Sequence, residues 1–383
     1  MLKIISHPRD MVEATDRGGH SFDGKTMKIE ESNNIPTPCL SNHASNLLEL
    51  DNGDLLCTWF GGSMEGSADI NIYLSHHDRA AGKWTPAIRM SEDKDRSEQN
   101  PALFQHPNGE IWLLYTAQVG TDQGTALVRC RRSADQGVTW SPIETLFDKQ
   151  GTFIRHPPVV NPQGHLLMPV WHSNIKNAFG DDFSLVQISR DGGKSWQETE
   201  VPQSAGCVHM DIMPSCKVAF YRRRRADRIF RSLSDDGGLS WSAPEPTELP
   251  NNNSSIQACE LKDGRILLIY NHIGATGAAG ESSVPPWVQD RQGFLDKCQI
   301  TETSAVWGVP RNPLIIASTR DLGKTWTREL VLEADATLRS DHDKNGAFTG
   351  DYSYPSIIET ADGHVQVSYS YLRDFIMHRT LSL

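Results

Sequence analysis

Apolar and polar positions along the chain recur in a fixed order: a short apolar run, a tight turn, a second apolar run, a polar loop and a third run. The first three parts read HASNLLELDNGDLLCTWF (43–60), NPALFQHPNGEIWLLYT (100–116), RHPPVVNPQGHLLMPVW (155–171), SSIQACELKDGRILLIY (254–270) and YSYPSIIETADGHVQVSY (352–369). A weaker copy without the turn glycine, HMDIMPSCKVAFY, occupies 209–221. Asn-Gly and Asp-Gly between β-rich runs predict hairpins. The third run ends in Ser/Thr-x-Asp-x-Gly-x-x-Trp at SADQGVTW (133–140), SRDGGKSW (189–196), SDDGGLSW (234–241) and TRDLGKTW (319–326), with a degenerate form, SHHDRAAGKW, at 75–84.

Six such repeats follow one another, each reading as a four-stranded antiparallel sheet. Sheets repeated around an axis protect their edges by radial packing, so the expected fold is an all-β, six-bladed β-propeller. We expect residues 1–383 to form that single domain, with a long fifth-blade loop at about 271–311 and the N-terminal TMKIEE (26–31) completing the sixth blade. The recurring turn motif has a structural explanation. Its Asp accepts hydrogen bonds from following amides, its Gly takes a conformation open to few other residues, and its Trp packs on a neighbouring strand.

Propeller topology sorts the remaining residues by face. The starts of the innermost strands and the loops between second and third strands share one face, and the hairpins and Asp motifs share the other. On the first face the inner strands place His43, Asn100, Arg155, His156, His209, Asp211, Gln257, Tyr352 and Tyr354. The loops add Glu65 in FGGSMEGSAD (60–69), His172, the basic run YRRRRAD (221–227) and Arg373. Polar and titratable groups are poor core formers, and here they converge on one end of the axis.

A net charge of −11 argues against an electrostatic hold on nucleic acid or an anionic membrane. Seven cysteines, an odd number without CxxC spacing, are expected to be reduced thiols. The leading residues carry no apolar core of a signal peptide, so a cytoplasmic location is expected. No cofactor is expected. Nor is a metal, because His43, His156 and His209 come from three separate strands with no ligand spacing.

The repeated Asp motifs and six blades resemble the sialidase superfamily, specifically its BNR-repeat, sialidase-like members, over nearly the whole chain. The resemblance implies three arginines that hold a substrate carboxylate, a tyrosine nucleophile paired to a glutamate, and an aspartate as acid/base. Carried across, the first arginine falls on His43, ten residues before Gly53, and the acid/base loop falls on SMEGSAD, making Glu65 its counterpart. RNPLIIAS (311–318) matches the third arginine at Arg311, while Arg228 and Arg231 bracket the place of the second. Tyr354, nine residues before Gly363, falls on the nucleophile. The fourth inner strand offers His209 and Asp211 where the tyrosine's glutamate belongs.

The leading expectation is exo-sialidase-like hydrolysis of a terminal acidic sugar from an oligosaccharide. Glu65, Tyr354, His43 and His209 would be catalytic, and Arg155, His156, Arg228, Arg231, Gln257, Arg311 and Arg373 would bind substrate. A second expectation is β-elimination at a uronic acid, as in the similar propeller lyases acting on ulvan or rhamnose–glucuronate linkages. A third is a glycan-binding propeller without turnover.

Overall fold

Each anticipated hairpin forms, and the result is six antiparallel sheets. The computed structural model describes residues 27–277, 280–288, 290–340, 342 and 349–383. The reading of the leading segment falls on residues 1–26, outside the described residues. Blade 1 contains Ser41–Glu49, Leu55–Gly62 and Asn71–Asp78, edged by Lys83–Trp84 and Ile88–Arg89. Blade 2 contains Ser97–Gln105, Ile111–Val119, Asp122–Ser133 and Glu144–Phe147. In blade 3 the innermost strand is split into Thr152–Phe153 and Val159–Val160 around Pro157 and Pro158, followed by Leu166–His172, Phe183–Ser189 and Gln197–Glu200. Blade 4 contains Cys207–Ile212, Val218–Arg223, Arg228–Leu233 and Glu245–Pro250. Blade 5 contains Gln257–Glu260, Ile266–Asn271, Leu314–Thr319 and Thr327–Glu333. Blade 6 contains Tyr352–Glu359, Val365–Tyr371 and Phe375–Ser382, and its outer strand is the N-terminal Lys28–Ile35. Blade 4, which lacks the turn glycine, closes its hairpin with Cys216 at φ 55°, in the left-handed region.

Side chains near the axis tie each blade to the next. Asn46 accepts from Leu103 N at 2.8 Å, Thr116 from Ile154 N at 3.3 Å, and Ser184 donates to Cys207 O at 2.8 Å. Asp211 accepts from Ala258 N at 2.7 Å and Gln257 from Ile357 N at 2.8 Å. Ser356 accepts from Leu47 N at 3.0 Å, which joins blade 6 back to blade 1. Each buried amide is thereby satisfied where no sheet ladder reaches.

The Asp motifs lie at the opposite end and each leans on the preceding blade. In blade 3, Asp191 accepts from Ser195 N at 2.9 Å and from Lys194 N at 3.0 Å, and Ser189 Oγ accepts from Gly193 N at 2.7 Å. The motif glycines Gly137, Gly193, Gly238 and Gly323 have φ of 80–86°. A Cβ there would collide with Leu56, Trp112, Leu167 and Phe220 of the preceding blades, so both conformation and space demand glycine.

Candidate active site

The inner strands do not run straight to the axis. Blades 1, 2, 4 and 6 break register between His43 and Asn46, Gln99 and Ala102, Val208 and Asp211, and Ser353 and Ser356. Each bulge holds one residue at positive φ: Ala44 (59°), Asn100 (52°), His209 (52°) and Tyr354 (51°). A bulge re-aims side chains, and non-glycine residues in this region cost on the order of 1–3 kcal/mol each. His209 and Tyr354 are therefore held toward one another against local preference, with ring centroids 5.8 Å apart.

Tyr354 is the centre of the cluster. The guanidinium carbons of Arg311, Arg222 and Arg155 lie 5.5, 5.6 and 5.7 Å from its ring centroid. Arg222 Nη1 donates to its hydroxyl oxygen at 2.5 Å, and the His43 ring lies beside it with centroids 4.1 Å apart. Among the described residues no carboxylate hydrogen-bonds that hydroxyl. Arg311 Nη1 reaches Ser353 Oγ at 3.1 Å and Asp351 Oδ2 at 3.4 Å. Asp351 Oδ2 also accepts from Arg373 Nε at 3.4 Å, and Arg373 Nη1 donates to Glu65 Oε2 at 2.7 Å. One carboxylate thus orients two guanidiniums, and a second carboxylate from blade 1 caps the row.

The histidines are neutral. Burial, reinforced by Arg373 and Arg311, holds His43 well below the usual imidazole range, and burial with Arg222 and Arg224 does the same to His209. Their tautomers follow from their partners. His43 Nε2 faces Arg311 Nη1 at 3.4 Å and His209 Nε2 faces Arg222 Nη1 at 3.3 Å, and a guanidinium only donates. Nδ1 therefore carries the proton in both, bonded to Ser370 Oγ at 2.8 Å and to Ser255 Oγ at 3.0 Å.

Arg222 was not anticipated; its place was assigned to Arg228 and Arg231. The structure puts those two away from the axis. Arg228 donates to Glu248 O at 3.0 Å on the outer edge of blade 4, and Arg231 pairs with Glu245 at 2.6 Å while reaching Leu322 O at 2.7 Å. Arg222 is buried instead, donating to Asn253 Oδ1 at 2.8 Å, and meets no carboxylate among the described residues. Burial lowers its pKa to about 10, which leaves it charged at neutral pH. Behind it stands Trp307, from the long blade-5 loop, with Arg222 5.6 Å and Arg224 5.2 Å from its ring. Arg224 is anchored by Asp182 of blade 3 at 2.6 Å. The loop packs Val284, Phe294 and Trp307 on Ala178 and Phe179 of blade 3, so it spans blade 4 and walls that side of the site. Its positions 278, 279 and 289 lie outside the described residues.

Three further expected substrate contacts sit below the site. The Gln257 amide oxygen is bound to Ile357 N, between blades. Arg155 is 1 % exposed and bonded only to protein acceptors. His156 is equally buried, with its nearest acid Asp211 at 3.7 Å, and burial pushes the Asp211 carboxyl up to about 7. A strand continuing at period two from Phe220 puts Arg222 and Arg224 on one side of the basic run, and the structure buries those two more than Arg223 and Arg225; that period was the available signal for Arg222. Among the described residues no group of three or more His, Cys, Asp or Glu is placed to hold a metal ion, and no helix is long and apolar enough to cross a membrane.

Comparison with known proteins agrees with this geometry at the level of fold. The BNR repeat-like domain family matches residues 53–367. No curated protein sequence matches the chain. Among solved structures, the Hadza microbial sialidase Hz136 superposes with a TM-score of 0.65 at 15 % identity over 89 % of this chain, which spans 66 % of that sialidase's length. A protein of unknown function from Dyadobacter fermentans superposes with a TM-score of 0.66 at 16 % identity, covering 93 % of this chain and 99 % of its own. The intramolecular trans-sialidase from Ruminococcus gnavus gives 0.60 at 13 % identity, covering 89 % and 94 %.

Proposed function

Taking as premise that the chain belongs to the BNR repeat-like domain family, we propose that it is a carbohydrate-active enzyme cleaving a terminal acidic sugar from an oligosaccharide by glycoside hydrolysis. The observation that carries this reading is the set of guanidiniums around Tyr354. Arg222 and Arg311, from blades 4 and 5, lie against the Tyr354 ring, Arg373 of blade 6 is tied to Arg311 through Asp351, and Arg222 is buried without an acidic partner among the described residues. A buried, uncompensated guanidinium favours an anionic ligand, and planar donors suit a carboxylate. Arg373 takes the side of the site where His43 stands in place of an arginine. Glu65 protonates the leaving oxygen as the glycosidic bond breaks, Tyr354 stabilises the sugar cation from the floor, and a water adds to that cation and returns a proton to Glu65.

A second reading, β-elimination at a uronic acid, is favoured by two observations: among the described residues no carboxylate bonds the Tyr354 hydroxyl, and neutral His43 lies against its ring. In that reaction the arginines neutralise the carboxylate and neutral His43 takes the C5 proton. The C4–O bond then breaks as the C4=C5 double bond forms, and the departing oxygen receives the Tyr354 hydroxyl proton. An end-point digest of sialosides and rhamnose–glucuronate fragments read by mass spectrometry decides between them. Products that together gain the mass of one water mean hydrolysis. Products whose masses sum to the substrate mean elimination, and tight binding with no product leaves a glycan-binding propeller.

A further inference from the structure

Arg155 crosses the propeller axis from blade 3 and ends among three other blades. Its Nη2 donates to Tyr354 O at 3.2 Å and Pro355 O at 3.1 Å in the blade 6 bulge, and to Ser45 O at 3.0 Å in the blade 1 bulge, two residues beyond His43. Its Nε donates to Ser255 Oγ at 3.1 Å in blade 5. That same oxygen receives the Nδ1 proton of His209, at 3.0 Å. The Ser255 hydroxyl proton is left to turn toward Ile256 O, 3.5 Å away. Two donors thus occupy the serine's two lone pairs, and the serine is held as an acceptor for His209.

We propose that Arg155 is a positioning residue: one buried guanidinium sets the height of the Tyr354 bulge and, through Ser255, the orientation and tautomer of His209. A carbonyl held at positive φ has no ladder partner of its own, and the guanidinium supplies one to the Tyr354 bulge. With His209 Nδ1 committed to Ser255, its Nε2 lone pair faces Arg222, and Arg222 in turn meets the Tyr354 hydroxyl. The path runs from Arg155 to the reacting group through four named contacts, none of which involves substrate. The planar fork matters, since a lysine ammonium reaches some of these acceptors but does not hold them in one plane.

The consequence for turnover rests on the proposed function; the consequence for His209 does not. The test uses the full chain with Arg155→Lys, Arg155→Met and Ser255→Ala. With an acidic oligosaccharide that the enzyme cleaves, kcat falls about tenfold to a hundredfold in Arg155→Met and about tenfold in Ser255→Ala, KM stays within about twofold, and Arg155→Lys recovers part of the loss. Nitrogen-edited NMR of the histidine rings gives the independent readout: a His209 Nδ1–H signal protected from exchange in the parent protein is lost in Ser255→Ala and broadened in Arg155→Met. A KM that rises with kcat unchanged makes Arg155 a substrate ligand and overturns the proposal, as does an unaltered His209 signal in Ser255→Ala. If no oligosaccharide is cleaved by the parent protein, the proposed function fails while the NMR comparison still decides this inference. Ser255→Ala keeps the guanidinium in place and decides it where Arg155→Met does not fold.

Discussion

The two ends of the propeller solve the same problem in opposite ways. At the Asp-motif end, four turns repeat one solution, and each Asp is satisfied within its own eight residues. Hydrogen bonds from Thr139 hold the Asp135 carboxyl down at about 2. At the axial end no two blades contribute alike: Ala44, Asn100, Arg155, His209, Ser255 and Tyr354 take related places along the six inner strands. Their partners come from sequence separations of tens to hundreds of residues. Repetition therefore marks what the fold needs six times, and departure from it marks what is needed once.

The sharpest break of that comparison is Tyr354→Phe, which removes one oxygen from the axial end. Turnover is expected to fall about a thousandfold with little change in Tm, because the ring packing survives. Retained turnover would move the chemistry to His43. Next in size is Arg222→Met set against Arg228→Gln. Losing the charge-assisted contacts of Arg222 weakens binding of an acidic oligosaccharide by about 2–3 kcal/mol, roughly 30-fold to 160-fold in Kd. Arg228, bonded to outer carbonyls, changes it by less than about twofold. Calorimetric titration of both variants reads the difference, and equal losses would put the arginine site elsewhere. The described cavities of about 500 and 280 Å³ at the Asp-motif and hairpin end are lined by none of these residues; the larger carries Arg265 and Arg320, so equal losses would direct the search there.

Acidity separates the two ends by a smaller amount. His43, His156 and His209 are all lowered well below 6.5 by burial and nearby guanidiniums. Their unfolded forms take up protons first, so the stability they hold is full above about pH 6.5 and is lost as pH falls below it. Asp211 has the opposite sign. Its folded pKa is raised by burial to about 7, so its contribution declines as pH rises from the ordinary carboxylate range through 7. Asp211→Asn keeps an acceptor for Ala258 N and removes the buried charge. Its Tm advantage over the parent should be larger at pH 8 than at pH 5; a larger advantage at pH 5 would mean that Asp211 is stabilised as a carboxylate.

Much of the fold was legible because its signals are local. Asn52-Gly53 and Asp362-Gly363 mark hairpins whatever lies around them, and a Ser-x-Asp-x-Gly-x-x-Trp string contains the hydrogen-bond partners of its own aspartate. The Lys28–Ile35 strand was legible for a different reason, since TMKIEE belongs to no other repeat, and the strand pairs with Phe375–Ser382 as the outer strand of blade 6. Topology puts Glu65, Arg373, His43 and Tyr354 on one face and the resemblance adds Arg311; the structure brings the five into one cluster because that face is a property of strand order. Arg222 was missed because spacing was counted back from the next Asp motif, which led to the wrong strand of blade 4. The pairing of Trp307 with Arg222 and Arg224 could not be read at all, because it joins a long loop to a strand more than eighty residues away in sequence. Gln257 and Asp211 looked functional for a physical reason: a polar side chain on a buried inner strand satisfies a neighbour's amide as readily as it meets a substrate.

The smallest expected effect lies in a single Asp motif. Asp191→Ala removes the acceptor for Lys194 N, Ser195 N and the Ser195 hydroxyl. The turn is solvent-exposed, so water replaces part of what is lost, and Tm should fall by about 2 °C with kcat and KM unaltered. The same substitution at Asp135 or Asp321 should give a similar fall, because each turn rests on the preceding blade through the same glycine contact. A change in kcat from any one of them, without a fall in Tm, would show that the repeated end of the molecule reaches the unrepeated one. That would contradict the division argued from the bonding, in which every hydrogen-bond partner of a motif aspartate lies in its own turn and the ring and hydrogen-bond partners named for Tyr354 lie in other blades.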